Sequence, residues 1–346
     1  MSPTGPLVLV TGASGFVGGA LARRLSDAGG RLRCQYRRAV PPENLRRLEG
    51  EGAELVRLDM SAGGFEERRK ALDALTAGVD RVYHVAARAS DWGPAELFDA
   101  VNRRTTVELL EAASRSGVRR FVFVSSLSVQ GFGGHRNSTE EGPFHPLIHP
   151  YQRSKKAAEE ALLAGNPDTM ECCILRPGNV YGPGDTTMLY PMFDAMEKGR
   201  MGTIAGGRRL TCPVYIDDLT AALVAAGDRP GVDGEAFNIT GGEEVSWREF
   251  LDAAAAALDV RRPRINLSAG TARVLAAILT ALWRAAGARR APPLTAYRVE
   301  HLARDFHFDI AKARRRLGYE PRIPYPEGLR RTAAAYRADR SSRNPT

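Results

Sequence analysis

The stretch that decides the fold is Leu7-Val8-Leu9-Val10-Thr11-Gly12-Ala13-Ser14-Gly15-Phe16-Val17-Gly18. Its apolar start predicts a strand buried on both faces, as in a parallel sheet. Regularly spaced glycines follow, and the residues beyond them keep a helical period. A strand, a glycine turn and a helix in this order predict a binding site for the pyrophosphate of a dinucleotide. An ordinary tight turn between a strand and a helix is the alternative.

Each glycine of this turn has its own predicted task. Gly12 allows the tight turn, Gly15 lets the backbone approach the phosphates, and Gly18 lets the helix pack closely on the strand. The helix presents free N–H groups and a partial positive charge at its N-terminus. We therefore expect this turn to hold the cofactor, with further contacts from Ser14, Phe16 and Val17.

The composition is that of a globular protein with a sizeable core. The chain has 346 residues, of which 43% are hydrophobic and 26% are charged. The formal net charge is +9, but the arginines are scattered and no nucleic-acid-binding motif occurs, so we expect no nucleic-acid partner. The cysteines lack metal-ligand spacing, which predicts small core residues in a reducing compartment and no bound metal. They are Cys34, Cys172, Cys173 and Cys212.

No stretch at the start of the chain resembles a signal peptide, which predicts a cytoplasmic protein. The segment 273–284 bears on this prediction, because it is an apolar run bracketed by Arg273 and Arg284. It is too short to span a bilayer, which needs about 20 residues. The run is typical of an interfacial helix or an apolar lid, and an interfacial helix would give peripheral contact with the inner membrane surface. A helix buried in the smaller domain is the alternative.

The end of the second predicted strand bears on the choice of cofactor. Strand 31–36 runs into Arg37 and Arg38, where an Asp or Glu would accept hydrogen bonds from the ribose of NAD. No acid is present to repel a 2′-phosphate, and a guanidinium can bind one. Arg37 therefore favours NADP over NAD. The alternative is that both arginines merely begin a loop.

Apolar strands alternate with helical segments over the first 175 residues, which predicts an α/β fold with a doubly wound parallel sheet of the Rossmann type. Two more strand ends are expected to contact the cofactor. Asp59, followed by Met60, ends the third strand and is placed to meet the adenine. Ala86 and Ala87 end the fourth strand, where small side chains let a cofactor lie against the backbone.

The catalytic hypothesis rests on three residues. Ser126 follows the fifth predicted strand, at the carboxyl edge where such sheets bind ligands. Tyr151 and Lys155 share one face of a predicted helix. The ammonium is expected to lower the pKa of the phenol, which is ordinarily about 10. Ser126 would hold the substrate oxygen while Tyr151 passes a proton and a nicotinamide passes a hydride.

Taken together, these features resemble the extended short-chain dehydrogenases/reductases over essentially the whole chain. The motifs that carry the resemblance are the glycine turn, Val124-Ser125-Ser126, the Tyr151–Lys155 pair, Leu175-Arg176-Pro177-Gly178-Asn179-Val180-Tyr181-Gly182-Pro183, and Tyr215-Ile216-Asp217-Asp218. The resemblance implies a catalytic triad of Ser126, Tyr151 and Lys155, in which the lysine also holds the nicotinamide ribose.

The same resemblance implies several supporting roles. Asn102 would be a structural or relay position at the cofactor site, and Pro177, Asn179 and Val180 would lie in a loop beside the nicotinamide. Residues 1–175, joined by 205–240, would bind NAD(P), whereas 176–204 and 241–340 would form a smaller C-terminal substrate-binding domain. Relatives are frequently homodimers.

Two departures from the family pattern concern the substrate. Sugar-nucleotide epimerases and dehydratases usually carry Arg-Asp-Phe before the segment at Tyr215, and that arginine helps to bind diphosphate. This chain has Thr211-Cys212-Pro213 there, which cannot replace a bidentate phosphate ligand unless Arg208 or Arg209 reaches in.

The C-terminal stretches resemble the 3β-hydroxysteroid dehydrogenase/sterol-4-carboxylate dehydrogenase branch. They are 292–298, 304–309 and 312–319, together with the loop 90–94. Steroid members commonly prefer NAD, and Tyr36-Arg37 departs from that.

The sequence thus predicts an NAD(P)-dependent oxidoreductase, with NADP favoured, that interconverts a secondary alcohol and a ketone. Its substrate would be lipophilic, either sterol-like or a long-chain β-hydroxy or β-keto compound. The enzymatic alternative is an NDP-sugar epimerase or dehydratase that recycles bound NAD. A dinucleotide sensor without activity is the third hypothesis, and it conflicts with the presence of Ser126, Tyr151 and Lys155.

The segment 131–150 is predicted to be a loop over the substrate mouth. The histidines near the site show no metal-ligand spacing, and most are expected on the surface or in loops. They are His84, His135, His145 and His149.

Overall fold

The structure is a computed structural model that describes residues 5–165 and 169–343. Its strands are β1 Leu7–Thr11, β2 Arg31–Tyr36, β3 Glu54–Arg57, β4 Val79–His84, β5 Arg120–Val124, β6 His135–Ser138, β7 Glu171–Pro177, β8 Asn179–Tyr181, β9 Gly202–Ile204, β10 Leu210–Thr211, β11 Pro213–Tyr215, β12 Glu235–Ile239, β13 Val245–Ser246, β14 Ile265–Leu267 and β15 Phe306–Phe308.

The α-helices lie between and after these strands. They are α1 Phe16–Asp27, α2 Glu43–Gly50, α3 Phe65–Thr76, α4 Ala95–Phe98, α5 Thr105–Arg115, α6 Pro150–Ala164, α7 Leu189–Glu197, α8 Ile216–Asp228, α9 Trp247–Ala257, α10 Ala269–Ala285, α11 Ala296–Ala303, α12 Ala311–Leu317 and α13 Tyr325–Arg343. A π-helix covers Asp99–Arg104, and 3-10 turns cover Leu127–Gln130 and Ala205–Gly207.

Seven strands form one sheet in the order β12-β7-β5-β4-β1-β2-β3, and every neighbouring pair is parallel. The predicted doubly wound α/β fold is therefore confirmed. Helices α1, α2, α8 and α12 contribute to the hydrophobic core on one face of this sheet, and α3, α5 and α6 contribute to the core on the other. Because all strands are parallel, their carboxyl ends share one edge, where such sheets bind ligands.

The first strand shows why the apolar run folds this way. Val8 and Val10 belong to the core on one face, while Leu7 and Leu9 belong to the core on the other. Side chains alternate along a strand, so a continuous apolar run fits a strand covered on both sides. The cysteines are likewise buried, as predicted.

One predicted boundary shifts where polar contacts replace the regular ladder. The fourth strand ends at His84 rather than at Ala87, because the N–H groups of Val85 and Ala86 donate to the Thr11 hydroxyl, each at 3.1 Å. Asn102 lies in the π-helix Asp99–Arg104, and α5 begins directly after it at Thr105. A π-helical turn of this kind is frequent at functional sites.

The segment 131–150, predicted to be a loop over the substrate mouth, contains a short strand. Strand β6 pairs in parallel with β15 near the C-terminus, and His135 and Ser138 at its two ends are buried. Only the later part, around Ile148, borders the groove described below. The pairing could not be foreseen locally, because its partner lies far along the chain.

The C-terminal part packs around a third core. This core combines residues of α7, α9 and α13 with Tyr181 and Tyr215 from β8 and β11. Strand β12 returns to the central sheet beside β7. Among the described residues, none of the helices is long and apolar enough to cross a membrane.

Candidate active site

The glycine turn has the shape that a phosphate group requires. Gly12 has a φ of +66°, and a Cβ on it would lie 2.8 Å from the Cα of Ala86. A Cβ on Gly18 would collide with the carbonyl oxygen of Gly12. Gly15 precedes α1 without a side-chain cap, and the first turn of the helix carries no acid. Its N–H groups are thus left to an anion, and these residues fit a dinucleotide pyrophosphate.

The side chain of Gln35 holds the glycine turn in place through hydrogen bonds, a role that was not predicted from the sequence. The Gly12 N–H donates to Gln35 Oε1 at 2.9 Å, and Gln35 Nε2 donates to the carbonyl of Leu58 at 2.5 Å. The side chain is buried at the end of β2. A polar residue in an otherwise buried strand end was the available signal, because buried amides need partners.

Arg37 and Asp59, predicted to contact opposite ends of the adenosine, lie side by side. Their Nη1 and Oδ2 atoms are 3.8 Å apart, and both side chains are exposed. Asp59 also accepts hydrogen bonds from the N–H and hydroxyl of Ser61, at 3.0 and 2.7 Å. Asp59 and the buried Met60 line a pocket of about 220 Å³ beside β3. Because this ion pair is long and exposed, the Arg37 guanidinium can leave it to bind an anion at this edge of the sheet.

A buried chain of hydrogen bonds connects the glycine turn to the π-helix. The Thr11 hydroxyl accepts two backbone N–H groups, so it donates its proton to His84 Nδ1 at 2.9 Å. The Thr106 hydroxyl donates to the carbonyl of Asn102 at 2.5 Å, so it accepts from His84 Nε2 at 3.0 Å. Burial lowers the pKa of His84 to about 3, and the imidazole is neutral.

These contacts correct the placement of the histidines. His84 and His135 are buried in strands, whereas His145 and His149 are partly exposed in the irregular segment before α6, so the prediction is wrong for two of the four. It failed for His84 and His135 because both rings find hydrogen-bond partners inside the fold. Within the described part of the chain, no group of residues is arranged to hold a metal ion.

Asn102 ties the loop after β4 to the helix that carries Tyr151. Its Oδ1 accepts from the N–H of Arg88 at 2.7 Å, and its Nδ2 donates to the Ser154 hydroxyl at 2.9 Å. Ser154 in turn donates to the carbonyl of Tyr151 at 2.9 Å. The contacts are those of a structural position, and they set the loop that contains Ala86 and Ala87 against α6.

The start of α6 is fixed by its own capping residues. His149 Nδ1 accepts from the N–H of Tyr151 at 3.1 Å, and Gln152 Oε1 accepts from the N–H of His149 at 3.1 Å. Pro150 occupies the first helical position, which it favours. Tyr151 thus lies in the first turn and Lys155 in the next turn, on the same face.

Four hydroxyl groups come together at the carboxyl end of β5. The Ser126 and Ser128 oxygens are 3.0 Å apart, and Ser126 also bonds the hydroxyl of Tyr151. Ser128 bonds the hydroxyl of Tyr297, whose ring lies edge-on to that of Tyr151 at 6.5 Å between centroids. Sequence reasoning found Ser126 and Tyr151 but missed Ser128 and Tyr297.

Lys155 is buried and bound to the strand that precedes Ser126. Its Nζ donates to the carbonyl of Val124 at 2.7 Å and lies 4.5 Å from the centre of the Phe123 ring. Burial lowers the pKa of the ammonium to about 7, with Glu159 opposing the shift. Glu159 itself forms a two-point ion pair with Arg176, at 2.9 and 2.8 Å.

The expected lowering of the Tyr151 pKa by this lysine is wrong for this structure. Burial raises the pKa of the phenol, and the hydrogen bond with Ser126 only partly opposes the rise. The neighbouring ammonium is itself partly neutral near pH 7, so its stabilisation of a phenolate is weak. Tyr151 is therefore held in its protonated form, which is the acid form.

The loop after β7 meets the segment that departs from the family pattern. Pro177 ends β7, and β8, which contains Asn179 and Val180, pairs with β11. Asn179 Nδ2 donates to the Thr211 hydroxyl at 2.8 Å. Thr211 is buried, so this position is closed to a phosphate ligand.

One of the two arginines that could have replaced the family arginine is held in an ion pair. Arg209 pairs with Asp305 at 3.5 Å, and Asp305 also pairs with Arg136 at 2.9 Å. Arg208 is exposed. Residue 211 is a threonine, so the described residues provide no guanidinium at this position that could hold a sugar diphosphate.

A groove of about 550 Å³ opens beside the hydroxyl cluster. Its wall includes Tyr297 and His149, whose rings lie 5.4 Å apart, and Pro150 next to Tyr151. The other lining residues come from the loop after β4, the start of α6 and the residue before its cap, the end of α10 and the residues after it, and the start of α11. They are Asp91, Trp92, Gly93, Pro94, Ala95, Ile148, Arg153, Thr280, Trp283, Arg284, Gly287, Ala288, Thr295 and Ala296. A molecule in this groove would lie next to Tyr151.

Comparison with known proteins assigns the family. Residues 8–240 match the NAD dependent epimerase/dehydratase family. The chain is 31% identical over 336 residues to the 2-alkyl-3-oxoalkanoate reductase of Stenotrophomonas maltophilia (strain K279a), covering 95% of this chain and 98% of that protein. The chain therefore belongs to this family, the extended short-chain dehydrogenases/reductases.

Two further proteins are similar to this chain over most of its length. It is 32% identical over 349 residues to the 3 beta-hydroxysteroid dehydrogenase/Delta 5-->4-isomerase of Mycobacterium tuberculosis (strain ATCC 25618 / H37Rv), covering 93% and 88% of the two chains. The crystal structure of gox2253 superposes with a TM-score of 0.79 at 27% identity, covering 97% and 99%. The protein is an NAD(P)-dependent oxidoreductase of the extended short-chain family.

Proposed function

We propose that this protein reduces a ketone to a secondary alcohol on a lipophilic substrate, with NADPH as the hydride donor. The observation that carries the proposal is the placement of the protonated Tyr151 hydroxyl, bonded to Ser126, beside the groove. A protonated phenol is ready to give a proton, which is what ketone reduction requires. The reverse reaction, alcohol oxidation, needs the phenolate that burial disfavours.

The chain's own groups divide the chemistry as follows. The Ser126 hydroxyl holds the ketone oxygen, and Tyr151 donates its proton to that oxygen as it becomes an alkoxide. Lys155 anchors α6 to β5 through Val124, and it would also hold the cofactor ribose, as the family resemblance implies. A bound nicotinamide supplies the hydride to the carbonyl carbon. The products are the secondary alcohol and oxidised cofactor, and Tyr151 regains its proton from solvent.

Arg37 supports NADP as the cofactor. It follows β2 directly, it is exposed, and its ion pair with Asp59 is long enough to be exchanged for a phosphate. No Asp or Glu stands at the end of β2 to accept hydrogen bonds from the ribose of NAD. The amide of Gln35, near the same end, is already bonded to the glycine turn and to Leu58. A 2′-phosphate at this edge would meet a guanidinium and no carboxylate except that of Asp59.

The groove and the relatives support a lipophilic substrate class. Trp92, Trp283 and Ile148 give the groove apolar surface, and Thr211 closes the position where sugar-nucleotide enzymes bind diphosphate. The relatives at about 30% identity are named for a 2-alkyl-3-oxoalkanoate and a 3β-hydroxysteroid. A long-chain β-keto compound or a sterol-like ketone fits these features better than a sugar nucleotide does.

A turnover screen tests the proposal. The purified protein is given NADPH or NADH together with long-chain β-keto acids, steroid ketones or UDP-sugars, and loss of the reduced cofactor is followed by absorbance. We expect consumption of NADPH with one of the two lipophilic classes. Conversion of a UDP-sugar without net use of reduced cofactor would replace the proposal with the epimerase alternative.

A further inference from the structure

Helix α10 (Ala269–Ala285) is attached to the protein by one face only. Ala272 and Ala276 are its buried residues. On the other face, four large apolar side chains are left open to solvent: Val274 at 62%, Leu275 at 39%, Ile278 at 52% and Leu282 at 57% exposure. Their spacing puts them on adjacent turns of one side of the helix. A contiguous apolar patch of this kind marks an interaction surface.

Cationic side chains lie at and beyond the C-terminal end of α10. Arg284 is in the last turn of α10, and Arg289 and Arg290 follow it; all three are exposed. No carboxylate of the described residues pairs with them, in contrast to Arg273, whose Nε donates to Glu300 at 2.6 Å. The helix therefore combines an unpartnered apolar face with unpaired positive charge.

We propose that α10 docks the protein on an anionic lipid surface. Val274, Leu275, Ile278 and Leu282 would enter the region between headgroups and acyl chains. Arg289 and Arg290, which follow the helix, would meet lipid phosphates. An amphipathic helix that lies in the interface binds through its buried apolar area together with attraction between cations and anionic lipids.

The charges favour this occupant over a second copy of the chain. The nearest acid on the neighbouring helix, Glu300, is already shared by Arg273 and Arg304. A two-fold contact presents the same patch on both sides, so it offers no carboxylates to these arginines. An anionic membrane provides the opposite charge that the patch lacks.

The same helix forms one wall of the groove beside Tyr151. Thr280, Trp283 and Arg284 line this groove, and Ile148 on the opposite lip is 44% exposed. Docking through α10 would bring the mouth of the groove to the lipid surface, from which a lipophilic ketone could enter. Vesicle binding itself does not depend on the proposed reductase activity, so the two proposals fail separately.

The test is cosedimentation with vesicles of phosphatidylcholine alone or of phosphatidylcholine with phosphatidylglycerol. We expect the full chain to bind the anionic vesicles and to lose binding as salt is raised. The double variant Ile278→Asp/Leu282→Asp should bind at least about tenfold more weakly. Arg289→Gln/Arg290→Gln should lose about fivefold per arginine on anionic vesicles and nothing on neutral ones.

Phe65→Asp is the matched control, because Phe65 is a large apolar residue, 56% exposed, on the distant helix α3. It should bind vesicles like the wild type, and all variants should keep the wild-type melting temperature. Absence of binding to anionic vesicles, or equal loss in Phe65→Asp, would overturn the proposal. A further contradicting result is a wild-type protein that binds no vesicles but forms a dimer that Ile278→Asp/Leu282→Asp dissociates. That result would identify a second copy of the chain as the partner of α10.

Discussion

The ammonium of Lys155 donates a hydrogen bond to the carbonyl of Val124, with 2.7 Å between nitrogen and oxygen. This contact joins helix α6 to the end of strand β5 just before Ser126. The lysine therefore holds Tyr151 and Ser126 in register whatever its protonation state. Its burial against Phe123 explains why its charge contributes little to the acidity of the phenol.

The buried lysine predicts how the stability of the cofactor-free protein depends on pH. Its pKa is lowered from 10.5 to about 7, so above pH 7 the unfolded chain binds more protons at this residue than the folded chain. The free energy of unfolding should therefore rise between pH 7 and 9. Above pH 9 the buried thiols, whose pKa is raised to about 12, act in the opposite direction. Urea unfolding across this interval measures the slope, and Lys155→Met should flatten it; an unchanged slope in Lys155→Met contradicts the assignment.

Tyr151→Phe removes the proton donor and leaves the ring in place. We expect kcat to fall by about 10²–10⁴-fold, the range of general acid catalysis, with cofactor affinity and melting temperature unchanged. Steady-state kinetics and cofactor titration measure the two effects. Turnover close to that of the wild type would show that the proton comes from another group.

Tyr297→Phe is both a control for Tyr151→Phe and a test of the hydroxyl cluster. It removes the hydrogen bond to Ser128 and keeps the ring that packs against Tyr151. One hydrogen bond contributes about 0.5–1.5 kcal/mol, so kcat should fall by roughly 2–10-fold. Ser128→Ala should give a similar decrease, and the double variant should lose no more than either single variant. Additive losses would show that the two hydroxyls act independently.

Arg37→Gln tests the cofactor preference. A charge-assisted hydrogen bond contributes about 1.5–3 kcal/mol, so KM for NADPH should rise by roughly 10–100-fold while KM for NADH stays constant. Arg38→Gln is the matched control, because Arg38 is the exposed neighbour without an ion pair among the described residues. Equal effects of Arg37→Gln on both cofactors would remove the assignment of the 2′-phosphate to this guanidinium.

The sequence predicts the central sheet and the glycine turn well because both depend on local chemistry. The run Leu7–Thr11 is apolar at every position that must face a core, and Gly12 adopts a positive φ that few other residues accept. Ser126 could be predicted because it follows a strand, and Tyr151 and Lys155 because they share a helix face. Each of these signals lies within a short stretch of the chain.

Other parts of the site depend on contacts between distant segments. Tyr297 reaches Ser128 because it packs against the apolar cluster around Leu127 and Phe132 that follows β5, and β6 becomes a strand only through β15. The sign of the Tyr151 pKa shift was predicted wrongly because burial, which residue spacing does not reveal, outweighs the charge of a lysine one turn away.

The most direct test of the central claim is transfer of deuterium from NADPH that carries deuterium at both positions of nicotinamide C4. The wild-type protein is incubated with the labelled cofactor and the ketone found in the screen, and the alcohol is examined by mass spectrometry. The account predicts one deuterium in each molecule of alcohol and one molecule of NADPH oxidised for it. Product that forms without deuterium, while the added NADPH stays reduced, would contradict it.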